Sequence, residues 1–309
     1  MMIEVANVTK YFGPVLAVDQ ISFQVDQGEI VGFLGLNGAG KTTTLRILTS
    51  YLPATSGVAK VAGFDVMTES MDVRKNIGYL PESVPLYQEM RVEEYLAFRA
   101  KLKGVDRQSR QSRIDYCLDR CRIREVRRRL IGTLSKGYRQ RVGLADAMVH
   151  DPKILILDEP TVGLDPLQIR EIRRLIKSFA GEHTVILSTH ILAEVTMTCH
   201  RVLIIHEGRI AAEDTLERLA ARGERTRRLS LRLARPDDGV ETVLQAVPGV
   251  LGARRDDDGG YLVECGEGQD AREAIAAIAV SRGWGLLELR PITLSLEETF
   301  IRIIRGEAA

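Results

Sequence analysis

The sequence predicts an α/β domain with a mostly parallel sheet, followed by a small α+β domain. Its 309 residues are enough for roughly two domains. Short apolar runs alternate with helical patterns over 30–206, which is typical of parallel strands that helices cover on both faces. The alternation breaks after Gly208, a polar linker is predicted at 221–228, and a new pattern follows. We therefore expect one domain over 1–220 and a second over 221–309.

The first domain is predicted to begin with half-buried strands and to continue with buried ones. Over the first 25 residues, apolar side chains recur at strand spacing, namely Ile3, Val5, Val8, Ile21, Phe23 and Val25. Ile30–Leu34 is almost entirely apolar and predicts a buried strand. A glycine-rich loop follows this strand, and residues 42–48 after the loop have the apolar spacing of a helix. The remaining predicted elements are an arginine-rich helical insertion at 92–129, strands at 153–157, 184–188 and 201–206, and a helix at 166–180.

The second domain is predicted to be ferredoxin-like. Its strand patterns lie at 229–233, 250–254, 261–265 and 286–289, and its helical patterns at 240–247, 271–282 and 296–304. The order is βαββαβ with a final helix, which suits that fold. Such a fold can bind a regulatory ligand, brace a dimer or contact a partner, and fold analogy does not decide among them.

Composition indicates a globular protein of the cytosol. Hydrophobic residues make up 45% and charged residues 28%, close to the soluble average. The formal net charge is +1, so no global field attracts nucleic acid or a membrane surface. Four scattered cysteines do not form a disulfide framework, and no apolar run is long enough for a membrane span. The first residues, MMIEVANVTK, do not resemble a signal peptide.

A phosphate-binding loop follows the buried strand at 30–34. The pattern G-x-x-x-x-G-K-[ST] is matched in order by Gly35, Leu36, Asn37, Gly38, Ala39, Gly40, Lys41 and Thr42. The glycines let successive backbone N–H groups face phosphate oxygens, and the following helix adds the positive end of its dipole. Lys41 would then reach the β- and γ-phosphates, and the Thr42 hydroxyl would bind Mg²⁺.

Two acids end the next buried strand. Asp158 and Glu159 follow the apolar run at 154–157. In a protein with a phosphate loop, the first acid at such a strand end holds Mg²⁺ through water. The second acid lies beside the γ-phosphate, where it can polarise an attacking water. We therefore predict a metal role for Asp158 and a general-base role for Glu159.

Further motifs resemble those of ABC ATPases over about residues 2–215. The segment LSKGYRQR at 134–141 resembles the family signature LSGGQ-x-Q-R, and VGLDP at 162–166 resembles its D-loop. His190, which follows the strand at 184–188, resembles the switch histidine, and Tyr11 resembles the aromatic residue that stacks on adenine. All of these motifs occur in the family's order.

The resemblance implies a role for each matching residue. Tyr11 would stack on the base of ATP, the loop from Gly35 through Thr43 would hold the phosphates, and His190 would contact the γ-phosphate. Ser135 and Gly137 would reach the nucleotide held by a second copy in a head-to-tail dimer, with Asp165 at the seam. The arginine-rich insertion would belong to a helical subdomain over about 90–140. The family's sheet is mixed, with an antiparallel β region at its N-terminal side.

The chain departs from the family pattern at three positions. Lys136 and Tyr138 replace the usual Gly and Gln of the signature, while Ser135 and Gly137 are kept. Glu82 stands where most members have a glutamine at the Q-loop, and its carboxylate can still accept from a metal-bound water. The segment LPE at 80–82, the signature and the tail SLEETF at 295–300 together resemble the ATPase subunits of ABC-2-type exporters, and most of all the gliding-motility and copper-maturation branch.

The resemblance also implies cofactors and partners. ATP and Mg²⁺ are the expected cofactors, and a homodimer of ATPase subunits is the expected assembly. Separate multi-span permease subunits would dock near 83–94 and hold the chain at the cytoplasmic face of the membrane. No nucleic acid is expected. The alternative from another class is a soluble ABC ATPase that acts on nucleic acid or ribosomes, whose members usually carry a long coiled coil or two cassettes.

Two other features have open interpretations. Six arginines cluster with one glutamate at 120–129, and they predict either a contact with anionic lipid or, as we favour, a solvated helical face. Cys117 and Cys121 are spaced to share one face of a helix. Without a third ligand nearby, two half-buried thiols are a better interpretation than a metal site.

Overall fold

The computed structural model describes residues 1–219, 227–256, 258–266, 268–292 and 296–304. The chain divides into two compact units, Met1–Thr215 and Leu216–Ala309. The linker predicted at 221–228 falls mostly outside the described residues.

The first unit contains ten strands and seven α-helices among its residues, all of which the structure describes. The strands are β1 (Ile3–Phe12), β2 (Val15–Val25), β3 (Ile30–Leu34), β4 (Ser56–Val61), β5 (Phe64–Asp65), β6 (Ile77–Leu80), β7 (Ile154–Asp158), β8 (Thr184–Thr189), β9 (Arg201–His206) and β10 (Arg209–Thr215). The helices are α1 (Lys41–Leu48), α2 (Ser70–Asn76), α3 (Val92–Leu102), α4 (Arg110–Arg120), α5 (Lys136–Met148), α6 (Pro166–Lys177) and α7 (Leu192–Thr198).

Two sheets form the first unit. An antiparallel sheet has the order β2-β1-β4-β5, and its core side carries the alternating residues predicted from the sequence, from Ile3 to Val25. A second sheet has the order β10-β9-β3-β8-β7-β6, in which only β10 is antiparallel. Strands β3, β7 and β8 are buried along their whole length, because helices cover both faces of a parallel sheet. Their carboxyl ends meet at one edge.

Some strands of these sheets were not predicted from the sequence. The break expected after Gly208 is a hairpin turn, in which Glu207 and Gly208 have φ of 46° and 78°, and β10 continues the sheet beyond it. Strand β6 was not predicted, because it is only four residues long and contains a glycine. That glycine, Gly78, lets α5 approach the sheet closely, since a Cβ there would lie 2.2 Å from the Ala147 carbonyl oxygen.

The arginine-rich insertion is helical only in part. After α4 ends at Arg120, the chain forms short 3-10 turns at Arg124–Val126 and Ile131–Thr133, so the helical part of the prediction for 120–129 is wrong. Four of the six arginines are exposed, as a solvated surface requires, namely Arg122, Arg124, Arg128 and Arg129. Several arginines of this segment also form ion pairs. Arg120 pairs with Glu182, and Arg127 pairs with Glu93. These pairs hold the end of α4 and the turn near Arg127 against neighbouring parts of the chain.

Cys117 and Cys121 are buried free thiols. Burial raises the pKa of Cys117 to about 12 and that of Cys121 well above its ordinary value. Within the part of the chain that the structure describes, no group of three or more His, Cys, Asp or Glu side chains is arranged to hold a metal ion.

The second unit has a ferredoxin-like arrangement. Its elements are β11 (Arg227–Leu233), α8 (Val240–Gln245), β12 (Val250–Arg255), β13 (Tyr261–Cys265), α9 (Arg272–Ser281), β14 (Leu286–Ile292) and α10 (Leu296–Ile304). The sheet is antiparallel with the order β12-β13-β11-β14, as the βαββαβ pattern predicts. Trp284 is buried in this unit's own core, and its indole N–H donates to Asp237 at 2.8 Å.

Among the described residues, none of the helices has both the length and the apolar character that crossing a bilayer requires.

Candidate active site

The phosphate loop joins β3 to α1 and depends on glycine at specific positions. A Cβ on Gly35 would lie 2.4 Å from the carbonyl oxygen of Ile205, closer than real atoms approach. Gly40 has a φ of 105°, which side-chain-bearing residues rarely adopt, and a Cβ there would lie 2.7 Å from the Ala17 carbonyl oxygen. The close packing of the loop against β9 and β2 therefore requires these glycines.

Lys41 is the first residue of α1, and its side chain folds back against the phosphate loop. Its Nζ donates to the carbonyl oxygens of Gly35 at 2.8 Å and Leu36 at 3.2 Å. The same Nζ lies 3.5 Å from Oε1 of Glu159, and both side chains are buried. A buried ammonium group at the mouth of a glycine loop is suited to bind phosphate oxygens.

The loop borders a cavity of about 380 Å³. Most residues predicted for the site line it, and they are Asn37, Gly38, Gly40, Lys41, Thr42, Thr43, Glu82, Glu159 and His190. Ala17, on β2, and Val162, after β7, also line the cavity and were not predicted. Ala17 belongs to no motif and reaches the site through packing of the sheets. Val162 opens the D-loop segment at 162–166, but that motif was not expected to line the cavity of its own chain.

Asp158 ends β7 beside the cavity and is fully buried. Burial raises its pKa, and the charge of Glu82 adds to the rise, whereas the hydroxyls of Thr42 and Ser188 oppose it. Neither carboxylate oxygen has a partner at good hydrogen-bond geometry within the described residues. Such oxygens, together with the Thr42 hydroxyl, are the donors that Mg²⁺ prefers, and this ion commonly takes only one or two carboxylates and completes its shell with phosphate and water.

Glu159 lies between two basic side chains. The backbone of Glu159 has a φ of 48°, and its N–H donates to the Ser188 carbonyl at 3.0 Å. Its carboxylate oxygens lie 3.0 Å from Nδ1 of His190 on one side, with Lys41 on the other. The unusual backbone conformation turns the carboxylate into the cavity, where it can accept a proton.

Comparisons with known proteins identify the family. A sequence model described as ABC transporter matches residues 18–162. The bacitracin transport ATP-binding protein BcrA of Bacillus licheniformis is 34% identical over 307 residues, which cover 99% of this chain and 98% of that protein. The chain belongs to the ABC transporter ATP-binding proteins.

Other relatives agree with this membership. The ABC transporter ATP-binding protein NatA of Bacillus subtilis is 39% identical over 207 residues, covering 66% of this chain and 84% of that protein. A solved structure of an ATP-binding subunit of an ABC transporter matches with a TM-score of 0.66 at 30% identity, covering 72% of this chain and 92% of that one. The ABC protein described here is thus an ATP-binding and ATP-hydrolysing transporter subunit. The soluble ATPase acting on nucleic acid or ribosomes is not supported.

Eight residues predicted for this ABC ATPase are absent from the cavity lining. Gly35, Leu36 and Ala39 belong to the phosphate loop itself, and Asp158 ends β7. The others are Tyr11, Ser135, Gly137 and Asp165, of which the last three have local partners. Ser135 caps α5, where its hydroxyl accepts from the Tyr138 N–H at 3.4 Å. Gly137 faces Gln168, whose side chain would lie 2.6 Å from an added Cβ. Asp165 caps α6 and accepts from the Leu167 and Gln168 N–H groups, each at 3.0 Å. The signature therefore lies beside the D-loop of the same chain.

Tyr11 also lies outside the cavity lining of the ABC ATPase. It sits near the end of β1, where 46% of the residue is exposed and its N–H donates to the Thr55 hydroxyl at 3.0 Å. An exposed aromatic ring is available for stacking. Its role toward the base stays a prediction.

Proposed function

We propose that this chain is the motor subunit of an ABC-2-type exporter, and that it hydrolyses ATP with the residues around its phosphate-loop cavity. The observation that carries the proposal is the convergence of Lys41, Asp158, Glu159 and His190 at one sheet edge. The relative BcrA is a bacitracin transport ATP-binding protein, which supports a role in transport for this chain. The gliding-motility and copper-maturation branch stays a prediction from the motifs.

Each residue then has a defined part in hydrolysis. The loop N–H groups and the Lys41 ammonium bind the phosphates, and Lys41 exchanges its carbonyl contacts for phosphate oxygens. Glu159 accepts a proton from the attacking water, and His190 holds the Glu159 carboxylate and contacts the γ-phosphate. Thr42, Asp158 and Glu82 would hold Mg²⁺, which neutralises charge on the phosphates when it is bound.

We further propose that the active form is a head-to-tail homodimer. Ser135, Gly137 and Asp165 do not line the cavity of their own chain, which supports a place for them at the site of a second copy. A related ATP-binding cassette, MJ0796, is described as dimeric with ADP and phosphate bound, and it matches with a TM-score of 0.63 at 25% identity. Loss of the γ-phosphate would remove part of what joins the two copies, and the dimer would reopen.

The partner of this dimer is proposed to be a pair of separate membrane permease subunits. The docking surface would be the segment 83–94, which follows Glu82 and ends in the first turn of α3. The motor would then be peripheral on the cytoplasmic face of the membrane. The neighbouring reading frames offer an independent check, since a multi-span protein is expected there.

The variant Glu159→Gln tests the proposed function. We expect turnover to fall by about 100-fold or more, because the amide cannot accept the proton from water. ATP should still bind, and the dimer should accumulate with ATP in light scattering. The matched control is Glu182→Gln, an exposed glutamate paired with Arg120, which should hydrolyse ATP normally. Turnover near the wild-type rate in Glu159→Gln would refute the assignment of the base.

A further inference from the structure

A buried glutamate lies directly behind the Glu159–His190 pair. Glu194, on α7, is only 1% exposed. Two threonine hydroxyls donate to its carboxylate, Thr161 to Oε1 and Thr189 to Oε2, the latter at 2.9 Å. Both oxygens of this carboxylate are therefore occupied inside the protein.

A third element supplies the balancing charge. Nη2 of Arg173, on α6, lies 3.4 Å from Oε1 of Glu194, and the Arg173 side chain is largely buried. A buried carboxylate is costly unless it is paired and hydrogen-bonded, and Glu194 meets both conditions. The cluster thus joins α6, α7, the turn after β7 and the end of β8.

The two threonines flank the proposed catalytic pair in the sequence. Thr161 follows Glu159 by two positions, and Thr189 immediately precedes His190. The Thr189 hydroxyl also accepts from the Ile191 N–H at 3.1 Å, so it holds the backbone on both sides of His190. Glu194 consequently connects the segment that carries Glu159 to the segment that carries His190.

The Glu159 backbone needs such support. A φ of 48° in a residue with a side chain is unfavourable and persists only where the surroundings impose it. The distance between Glu159 and His190 is 3.0 Å, and small displacements of such groups can slow a reaction strongly. A fixed link beneath the pair would preserve both features.

We infer that Glu194 is a positioning residue for ATP hydrolysis, which acts through Thr161 and Thr189 to hold the Glu159 carboxylate against His190. The inference rests on the roles proposed for Glu159 and His190. The charge matters because a carboxylate accepts both hydroxyl bonds at once while pairing with Arg173. A glutamine has one acceptor oxygen and leaves the guanidinium group without its partner.

The variant Glu194→Gln in the full-length chain should lower kcat about 10- to 100-fold. KM for ATP should stay within about twofold, because Glu194 does not line the phosphate-loop cavity. The matched control is Glu29→Gln, which changes a second glutamate that pairs with an arginine, although Glu29 is only partly buried. Glu29 pairs with Arg201 at 2.8 Å at the other ends of the strands. That control should lose stability without losing kcat per folded molecule.

Thr189 provides a second and milder test. Thr189→Val keeps the shape of the side chain but loses the hydroxyl, and it should lower kcat as Glu194→Gln does. Thr189→Ser keeps the hydroxyl and should restore most of the rate. The double variant Glu194→Gln with Thr189→Val should show little further loss, because both changes break one link.

Equal effects of Glu194→Gln and Glu29→Gln on kcat per folded molecule would overturn the inference, as would a Thr189→Val rate equal to wild type. Glu159→Gln, measured in parallel, separates the two levels of the proposal. Normal turnover in Glu159→Gln would refute the proposed base itself. Loss of turnover in Glu159→Gln, together with a normal rate in Glu194→Gln, would refute only the positioning role.

Discussion

Gly35 shows how strongly a single residue can constrain the nucleotide site. We expect Gly35→Ala to lose ATP affinity by about 10-fold or more, since its Cβ would lie 2.4 Å from a backbone oxygen that cannot move cheaply. Binding of a fluorescent ATP analogue measures this loss. Gly252→Ala is the control, because an added Cβ there meets no atom within 4 Å. Equal binding by both variants would contradict the close approach seen at Gly35.

At the level of single residues, the motifs predicted a set of residues that the fold brings together, while the roles of these residues stay predictions. The loop glycines, Lys41, Asp158, Glu159 and His190 converge at the carboxyl ends of β3, β7 and β8. Glu194 could not be predicted in the same way. Its partner Thr161 is 33 positions away, and only the packing of α7 against the sheet brings the two together. The signal in the sequence is that Glu194 is the one charged residue in the segment at 192–198.

Among the elements, His150 joins the end of α5 to β6 and should make the protein sensitive to acid. Its Nε2 lies 2.9 Å from the Ile77 carbonyl oxygen, and burial lowers its pKa from 6.5 to about 4. Between these values the unfolded chain binds a proton that the folded chain does not. The free energy of unfolding should therefore fall as pH decreases through this window, by up to about 3 kcal/mol.

Denaturant unfolding over that pH range tests this expectation with His150→Gln. The glutamine amide can still donate to the Ile77 carbonyl but does not titrate. Its free energy of unfolding should depend less on pH than that of the wild-type chain. Parallel pH curves for the two proteins would show that His150 does not titrate on unfolding.

Prediction of the elements succeeded where apolar residues follow one another directly or recur at a regular spacing. Strands β3, β9 and β13 and helix α10 have the predicted bounds, because apolar periodicity alone defines them. The 3-10 turns after α4 were missed, since paired arginines there give no period that distinguishes a turn from a helix. Strands β4, β5 and β6 were missed because they are short or interrupted by glycine, and tertiary packing decides their conformation.

For the whole molecule, the two units have separate hydrophobic cores. One cluster of buried residues runs from Ile3 to Ile205, and another from Leu229 to Trp284. We therefore expect the chain cut after Thr215 to fold and to bind ATP with an affinity within about twofold of the full chain. Titration with ATP measures this, and circular dichroism of the same sample checks folding.

Dimerisation of the shortened chain should be measured separately by light scattering. Loss of the ATP-induced dimer with retained ATP binding would favour a bracing role for the second unit. Unchanged dimerisation would exclude that role. Aggregation of the shortened chain would show that the first core does not suffice.

Strand β3, which leads into the phosphate loop, can pair with its two neighbouring strands only late during synthesis. Strand β3 pairs on one side with β8, through Ile30 and Val185, and on the other with β9, through Val31 and Arg201. Both neighbours leave the ribosome more than 150 residues after it, and such distant pairings form slowly because long loops must first close. A nascent or prematurely terminated chain therefore carries the whole glycine motif without a scaffold to shape it. We therefore expect a nascent chain to bind ATP only after β9 has been synthesised.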